Sequence, residues 1–215
     1  MIKLYVDKKG IETKKGTTLL QACLDNGIYV PHLCYLKNMA YPSASCRMCF
    51  VEIEGKDQPV TSCTVRVNND MVVKTDTPSV RRLQRTALKL LLSVHQVDCR
   101  NCPANKKCGL QNLAKFLKVG LKHKPLQLFL KETEIDQDHP CLDYYPNRCV
   151  LCGKCMHVCR TQQGKPMLTF SQRGFDTVIS FFGAKDKSLI ACEQCEKCVD
   201  ICPVGALVLK ENKQP

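Results

Sequence analysis

Fifteen cysteines and one histidine of this 215-residue chain fall into four spaced groups, and that spacing constrains the fold more than any other feature. Cys149, Cys152, Cys155 and Cys159 follow CxxCxxCxxxC, and Cys192, Cys195, Cys198 and Cys202 repeat it immediately before Pro203. Such density first suggests disulfide staples. Three features oppose them: the 17 cysteines are odd in number, the chain is long for a stapled scaffold, and the N-terminus MIKLYVDKKG has no apolar signal core. The thiols are therefore expected to be reduced, in a cytoplasmic setting, and to serve as metal ligands.

The repeated CxxCxxCxxxC run is the arrangement in which three thiolates reach one [4Fe–4S] cubane and the fourth crosses to its neighbour. The spacing thus predicts one cubane on Cys149, Cys152, Cys155 and Cys202, and a second on Cys159, Cys192, Cys195 and Cys198. Cys34, Cys46, Cys49 and Cys63, spaced Cx11CxxCx13C, supply the four convergent thiolates of a [2Fe–2S] centre, with a longer first gap than the plant-type spacing. A tetrahedral zinc site is the alternative, but all-cysteine zinc sites usually use two CxxC knuckles and this set has one. His95, Cys99, Cys102 and Cys108 form HxxxCxxCxxxxxC; His95 stands at ligand spacing before three cysteines with no fourth cysteine nearby. It is read as the fourth ligand of a third [4Fe–4S] cubane, where a neutral imidazole removes a negative charge and raises the potential. His32, His123, His139 and His157 are read as structural, and Cys23 and Cys141 as packing residues. The expected cofactors are one [2Fe–2S] and three [4Fe–4S] clusters, with iron held through these same residues.

The formal charge of +12, from 32 Lys and Arg, could suggest a nucleic-acid binder. The basic residues are scattered, however, and each thiolate-bound cluster brings negative charge that the formal sum omits. A solvated docking surface is the expectation, with no nucleic-acid partner. The longest apolar stretches, 88–94 and 178–184, fall well short of the ~18 residues of a membrane span, so no direct membrane insertion is expected.

Along the chain, Ile2, Leu4 and Val6 alternate as a half-buried strand, Asp7 to Gly10 turns, and a second strand runs through Lys14. Thr17 or Thr18 can cap a helix with apolar Leu19, Leu20, Cys23 and Leu24, ended by Gly27. Val51 and Ile53, Val60 to Val67 and Met71 to Val73 supply further strands. Thr77-Pro78 opens a basic helix with Leu83, Ala87, Leu90, Leu91 and Val94 on one face, and a second helix covers roughly 110–119. The expected class is α+β: a β-grasp [2Fe–2S] ferredoxin domain (1–78), a helical [4Fe–4S] domain with one histidine and three cysteine ligands (79–120), a connector (121–140), a two-[4Fe–4S] ferredoxin-like domain (141–210) and a tail (211–215). Without GxGxxG, GxxxxGK[ST] or a histidine–carboxylate constellation, the chain is expected to have no catalytic site of its own and to carry electrons for others.

The motifs PHLCYL, SCRMCFVE, TSCTVRV, HQVDCRNC with Cys108, DHP followed by NRCVLCGKCMHVC, and CEQCEKCVDICPVGAL resemble one family in order and content. It is the iron–sulfur segment shared by the large peripheral-arm subunit of respiratory complex I, the accessory region of [FeFe] hydrogenases, and the stand-alone diaphorase small subunit of NAD-coupled bidirectional [NiFe] hydrogenases. One departure is local: Ser43-Ala44-Ser45 stands where relatives often carry glycine. The stop after Pro215 favours the stand-alone subunit. The resemblance implies a relay of single electrons between a flavin- and NAD(P)-binding diaphorase subunit and hydrogenase small and large subunits. The catalytic subunit of an NAD-linked or electron-bifurcating formate dehydrogenase, or a transhydrogenase, is the alternative partner. Soluble ferredoxin is a further candidate partner, and a free ferredoxin-like carrier the remaining reading. Replacing His95 by Ala is expected to remove one cubane's iron and its reduced-state EPR signal while the other signals persist; an unchanged iron content would refute ligation by His95.

Overall fold

The computed structural model describes residues 1–37, 39–122, 127–132, 135–164, 167–182 and 195–210. Two compact units divide the chain: one of residues 1–89 with 113–119, the other of 90–112 with 120–215.

The first unit begins with a tight hairpin. Strand β1 (Ile2–Val6) pairs antiparallel with β2 (Lys9–Thr13), and the two-residue turn puts Asp7 and Lys8 at φ +50° and +69°, the mirror-image turn whose twist matches paired strands. Helix α1 (Leu19–Asp25) starts where the Thr18 hydroxyl accepts from the Gln21 amide at 3.3 Å, and Gly27 follows it at φ +72°. Strands β3 (Phe50–Ile53), β4 (Val60–Thr61) and β5 (Val72–Lys74) complete a sheet of order β2-β1-β5-β3-β4, in which β1 and β5 run parallel. Leu4, Val6, Ile11, Leu19, Leu20, Val30, Val51 and Val73 form its core, and Cys23 is buried among them. The expected strand over 60–67 is much shorter than its apolar content suggests. Its backbone turns at 62–64, with the Thr64 amide donating to Thr61, and so presents Cys63 to the ligand loop.

Helix α2 (Pro78–Ser93) opens with the Thr77 hydroxyl accepting from the Val80 amide at 3.2 Å. Its buried stripe is Val80, Gln84, Ala87, Leu88 and Leu92, whereas Leu90 is 57% exposed. The apolar pattern points instead to a face starting at Leu83, because Gln84 is polar. Gln84 is in fact buried, and its Nε2 donates to the Phe50 carbonyl at 3.2 Å, so an amide occupies a core position with its donor satisfied. Helix α3 (Gly109–Leu117) buries Leu110, Leu113, Ala114 and Leu117.

In the second unit, β6 (Leu142–Tyr144) pairs antiparallel with β9 (Leu207–Leu209), tying the start of the cysteine-rich module to its end. Between them lie α4 (Lys154–Gln163), the hairpin of β7 (Leu168–Ser171) and β8 (Val178–Phe181), and the short helix α5 (Lys197–Asp200). The connector is tied down in part. Asn147, 3% exposed, accepts from the Lys131 amide at 2.7 Å and donates to the Lys131 carbonyl at 3.0 Å, and the Phe129 amide donates to Ser93. His123, Cys192 and the expected tail lie outside the described residues.

Leu20 is fully buried in the first unit's core. Leu20→Ala is expected to cost about 2–5 kcal/mol of stability, seen as a lower urea midpoint by circular dichroism under anaerobic conditions.

Candidate metal centres

In the first unit Cys34, Cys46 and Cys49 sit in the loop that joins α1 to β3, and Cys63 in the turn after β4; each is no more than 4% exposed. The sulfurs fall into two pairs. Cys34 and Cys46 Sγ atoms are 3.4 Å apart. The hydrogen bond shared by Cys34 and Cys46 pulls Cys34 down to about 5, and the one shared by Cys49 and Cys63 pulls Cys49 down to about 7. The other thiol of each pair, Cys46 and Cys63, is pushed up, first by that bond and then by burial. Two pairs of thiols suit two iron atoms with two thiolates each. The loop reaches this shape by placing Ala44 at φ +49° and Arg47 at φ +51°, left-handed positions that favour glycine. The Ser43-Ala44-Ser45 departure therefore carries a real backbone cost at Ala44.

The remaining sites lie in the second unit. His95, Cys99, Cys102 and Cys108 line one pocket with about 250 Å³ of empty space, together with Gln96, Asp98, Asn105 and Gln111. Nδ1 of His95 lies 3.0 Å from the Arg148 carbonyl oxygen. A carbonyl only accepts, so Nδ1 carries the hydrogen and Nε2 keeps its lone pair, the state required of a metal-bound imidazole. Burial, with the nearby Arg148 charge, pulls His95 down to about 4 against the opposing pull of that bond, so the ring is neutral near pH 7.

Cys149, Cys152, Cys155 and Cys202 line a second pocket with about 300 Å³ of empty space, walled by Val150, Ile179 and Leu207. The grouping brings the fourth cysteine of the second run to the first three of the first run. Amides face the sulfurs: Leu151 N–H donates to Cys149 Sγ at 3.4 Å, and Ala206 N–H to Cys202 Sγ at 3.2 Å. Burial pushes Cys152 up to about 12 and raises Cys149 and Cys155 as well. Such thiols need a cation to ionise, which iron provides. Cys159, Cys195 and Cys198 line a third pocket with about 450 Å³ of empty space. The donor chemistry fits iron–sulfur clusters: grouped thiols in every pocket, a ligand-state imidazole at the His95 pocket and amides directed at sulfur at the Cys149 pocket.

Three joins connect the His95 pocket to the Cys149 pocket. Arg148, which orients His95, precedes Cys149 in sequence. The Gly109 amide, next to Cys108, donates to the Pro203 carbonyl, next to Cys202, at 2.7 Å. Cys102 Sγ lies 3.8 Å from the Val204 carbonyl oxygen. Sequence spacing reveals neither these joins nor Gly205, whose left-handed φ of +64° and close packing leave no room for a side chain. A Cβ there would lie 2.8 Å from Ala104 Cβ and 3.4 Å from Cys102 Sγ.

Comparison with known proteins gives a consistent pattern. A model of a 2Fe-2S iron-sulfur cluster binding domain matches residues 1–78, one of the NADH-ubiquinone oxidoreductase-G iron-sulfur binding region matches 84–123, and one of the NADH-quinone oxidoreductase subunit 3 ferredoxin-like domain matches 139–208. The chain is 36% identical over 213 residues to the NADPH-Fe(3+) oxidoreductase subunit alpha of Geobacter sulfurreducens, covering 99% of itself and 24% of that protein. It is 34% identical over 222 residues to the NADP-reducing hydrogenase subunit HndD of Solidesulfovibrio fructosivorans, covering 98% of itself and 36% of that protein. The chain thus spans about a quarter to a third of the length of these curated relatives. In the crystal structure of an NAD+-reducing [NiFe]-hydrogenase in the H2-reduced state, one chain matches with a TM-score of 0.85 and 31% identity, over 100% of this chain and 90% of that one. No helix among the described residues is long and apolar enough to cross a membrane.

Gly205→Ala is expected to displace the Cys102 loop and lower the iron content, with altered EPR of the cubane signals. Gly120→Ala, whose Cβ would meet only the Lys122 carbonyl at 3.8 Å, should leave both unchanged.

Proposed function

The chain belongs to the family of the NADH-ubiquinone oxidoreductase-G iron–sulfur region, and from that membership we propose that it is the multi-cluster electron-relay subunit of an NAD(P)-linked oxidoreductase complex. The observation that carries the reading is the separate lining of three pockets in the second unit by the expected ligands, beside two thiol pairs in the first. Cys34, Cys46, Cys49 and Cys63 hold a [2Fe–2S] cluster; His95 with Cys99, Cys102 and Cys108 holds a [4Fe–4S] cluster. Cys149, Cys152, Cys155 and Cys202 hold a second cubane, and Cys159, Cys192, Cys195 and Cys198 a third. Bound there, these clusters supply one-electron carriers at fixed positions.

The protein's residues do the rest. Thiolates and the His95 Nε2 hold iron in place, and Val150, Ile179 and Leu207 keep water from the Cys149 pocket. The Leu151 and Ala206 amides donate to ligand sulfurs, which favours the more negative, reduced state and raises its potential. Histidine in place of a fourth thiolate acts in the same direction at the His95 site. The three joins between the His95 and Cys149 loops give that pair of sites short bonded contacts for electron passage.

The partners in this reading are a flavin- and NAD(P)-binding diaphorase subunit and the small and large subunits of a [NiFe] hydrogenase. The match to a chain of the NAD+-reducing [NiFe]-hydrogenase over its near-whole length supports that choice. A second reading keeps the relay and changes the terminal partner, to an iron(III)-reducing or formate-linked catalytic subunit. The 36% identity to an NADPH-Fe(3+) oxidoreductase subunit favours keeping it in view.

Anaerobic native purification with mass-spectrometric identification of the bound chains tests both. The proposal expects a flavin- and NAD(P)-binding chain together with nickel-bearing hydrogenase chains. A molybdenum- or iron(III)-reducing partner supports the second reading, and an iron-loaded chain with no stable partner refutes both.

A further inference from the structure

Sequence alone marks His139 as a structural histidine, but its surroundings give it a more specific task. The ring is 3% exposed and lines the pocket that Cys159, Cys195 and Cys198 share. The Cys141 amide donates to its Nδ1 at 3.1 Å. An N–H donor can meet only an unprotonated nitrogen, so the hydrogen of the neutral ring sits on Nε2. Burial and the Lys210 charge pull His139 below its ordinary range, against Asp136, in keeping with a neutral ring. The imidazole is held against the Phe181 ring, with centroids 4.7 Å apart. The ring faces a cavity whose other polar groups include three thiols, and the bond at Nδ1 leaves the Nε2–H as its remaining polar atom.

The contrast with His95 sharpens the assignment. There the main chain offers a carbonyl to Nδ1 and leaves Nε2 as a lone pair for iron. Here it offers an amide and leaves Nε2 as an N–H. One histidine is prepared as a ligand and the other as a hydrogen-bond donor.

We propose that His139 is a potential-setting residue, donating its Nε2–H to the cluster held by Cys159, Cys195 and Cys198, at an inorganic sulfide or a ligand sulfur. The inference rests on the cluster assignment made above for that pocket. A hydrogen bond to the cluster stabilises the reduced state, which carries the extra negative charge, and so raises the potential of this site relative to the same cluster without the donor. The step is electron transfer alone: the hydrogen stays on Nε2 and no bond forms or breaks in the protein.

The test uses the iron-loaded chain in anaerobic EPR redox titrations. Cys198→Ser first identifies the signal of this pocket; if every cluster signal survives it unchanged, the cluster assignment fails and not the role of His139. His139→Phe keeps an aromatic ring against Phe181 and removes the donor. With iron content unchanged, it is expected to shift the reduced-to-oxidised ratio at fixed potential about fivefold toward oxidised, roughly 40 mV downward for a one-electron couple. His139→Gln, which restores an N–H, should recover most of the shift. Pulsed EPR of the unaltered protein should show a deuterium-exchangeable proton coupled to this cluster, absent in the phenylalanine variant. Potentials equal in all three proteins overturn the proposal, as does the absence of an exchangeable proton. Loss of this cluster's iron in both variants also overturns it, because the ring would then serve as a ligand or a packing piece.

Discussion

Removing a thiol from water keeps its proton on, and the ligand pockets of this chain are built against that resistance. Burial raises Cys149, Cys152 and Cys155, with Cys152 pushed up to about 12. A nearby cation lowers that penalty, so a metal bound among these thiols would favour their ionised form and the packed loops together. The same constraint explains why polar main-chain atoms crowd the pockets. The Leu151 and Ala206 amides meet sulfur because a buried sulfur bearing negative charge has no water to turn to.

The second unit meets this constraint with sequence-distant partners. The β6–β9 pairing brings residues 142–144 beside 207–209, which sets the Cys202 end of the chain close to the Cys149 loop. The last cysteine of the second run therefore lines a pocket with the first three of the first run, a grouping across the two runs. Gly205 is the tight point of the turn after Cys202, since a Cβ there would lie 2.8 Å from Ala104 Cβ in the loop that carries Cys102.

Much of this was legible in the sequence because ligand spacing and strand alternation are local signals. The alternation of Ile2, Leu4 and Val6, the Thr18 cap and the Gly27 stop all appear where the sequence places them. The misses share a cause. Gln84 looks like a surface residue until the Phe50 carbonyl, 34 positions away, is seen to satisfy it. The run over 60–67 looks like a strand until the need to present Cys63 bends it. His139 gives no spacing signal at all, because its tautomer is set by a backbone amide two residues on and its place by Phe181 on a later hairpin.

The hydrogen bond from His95 to Arg148 has a consequence for how the protein is made. The imidazole is aimed by a carbonyl that belongs to a loop 53 positions later, and that loop also carries Cys149. Until the later loop has been synthesised and closed, the earlier site holds three thiols and a histidine free to rotate. The aim of the imidazole is thus set against the order of translation: a side chain made early is oriented by a segment made late. On the proposed ligand assignment, a cluster delivered to a partly synthesised chain would meet His95 before its orienting carbonyl exists, so insertion at that site is expected to follow closure of the Cys149 loop.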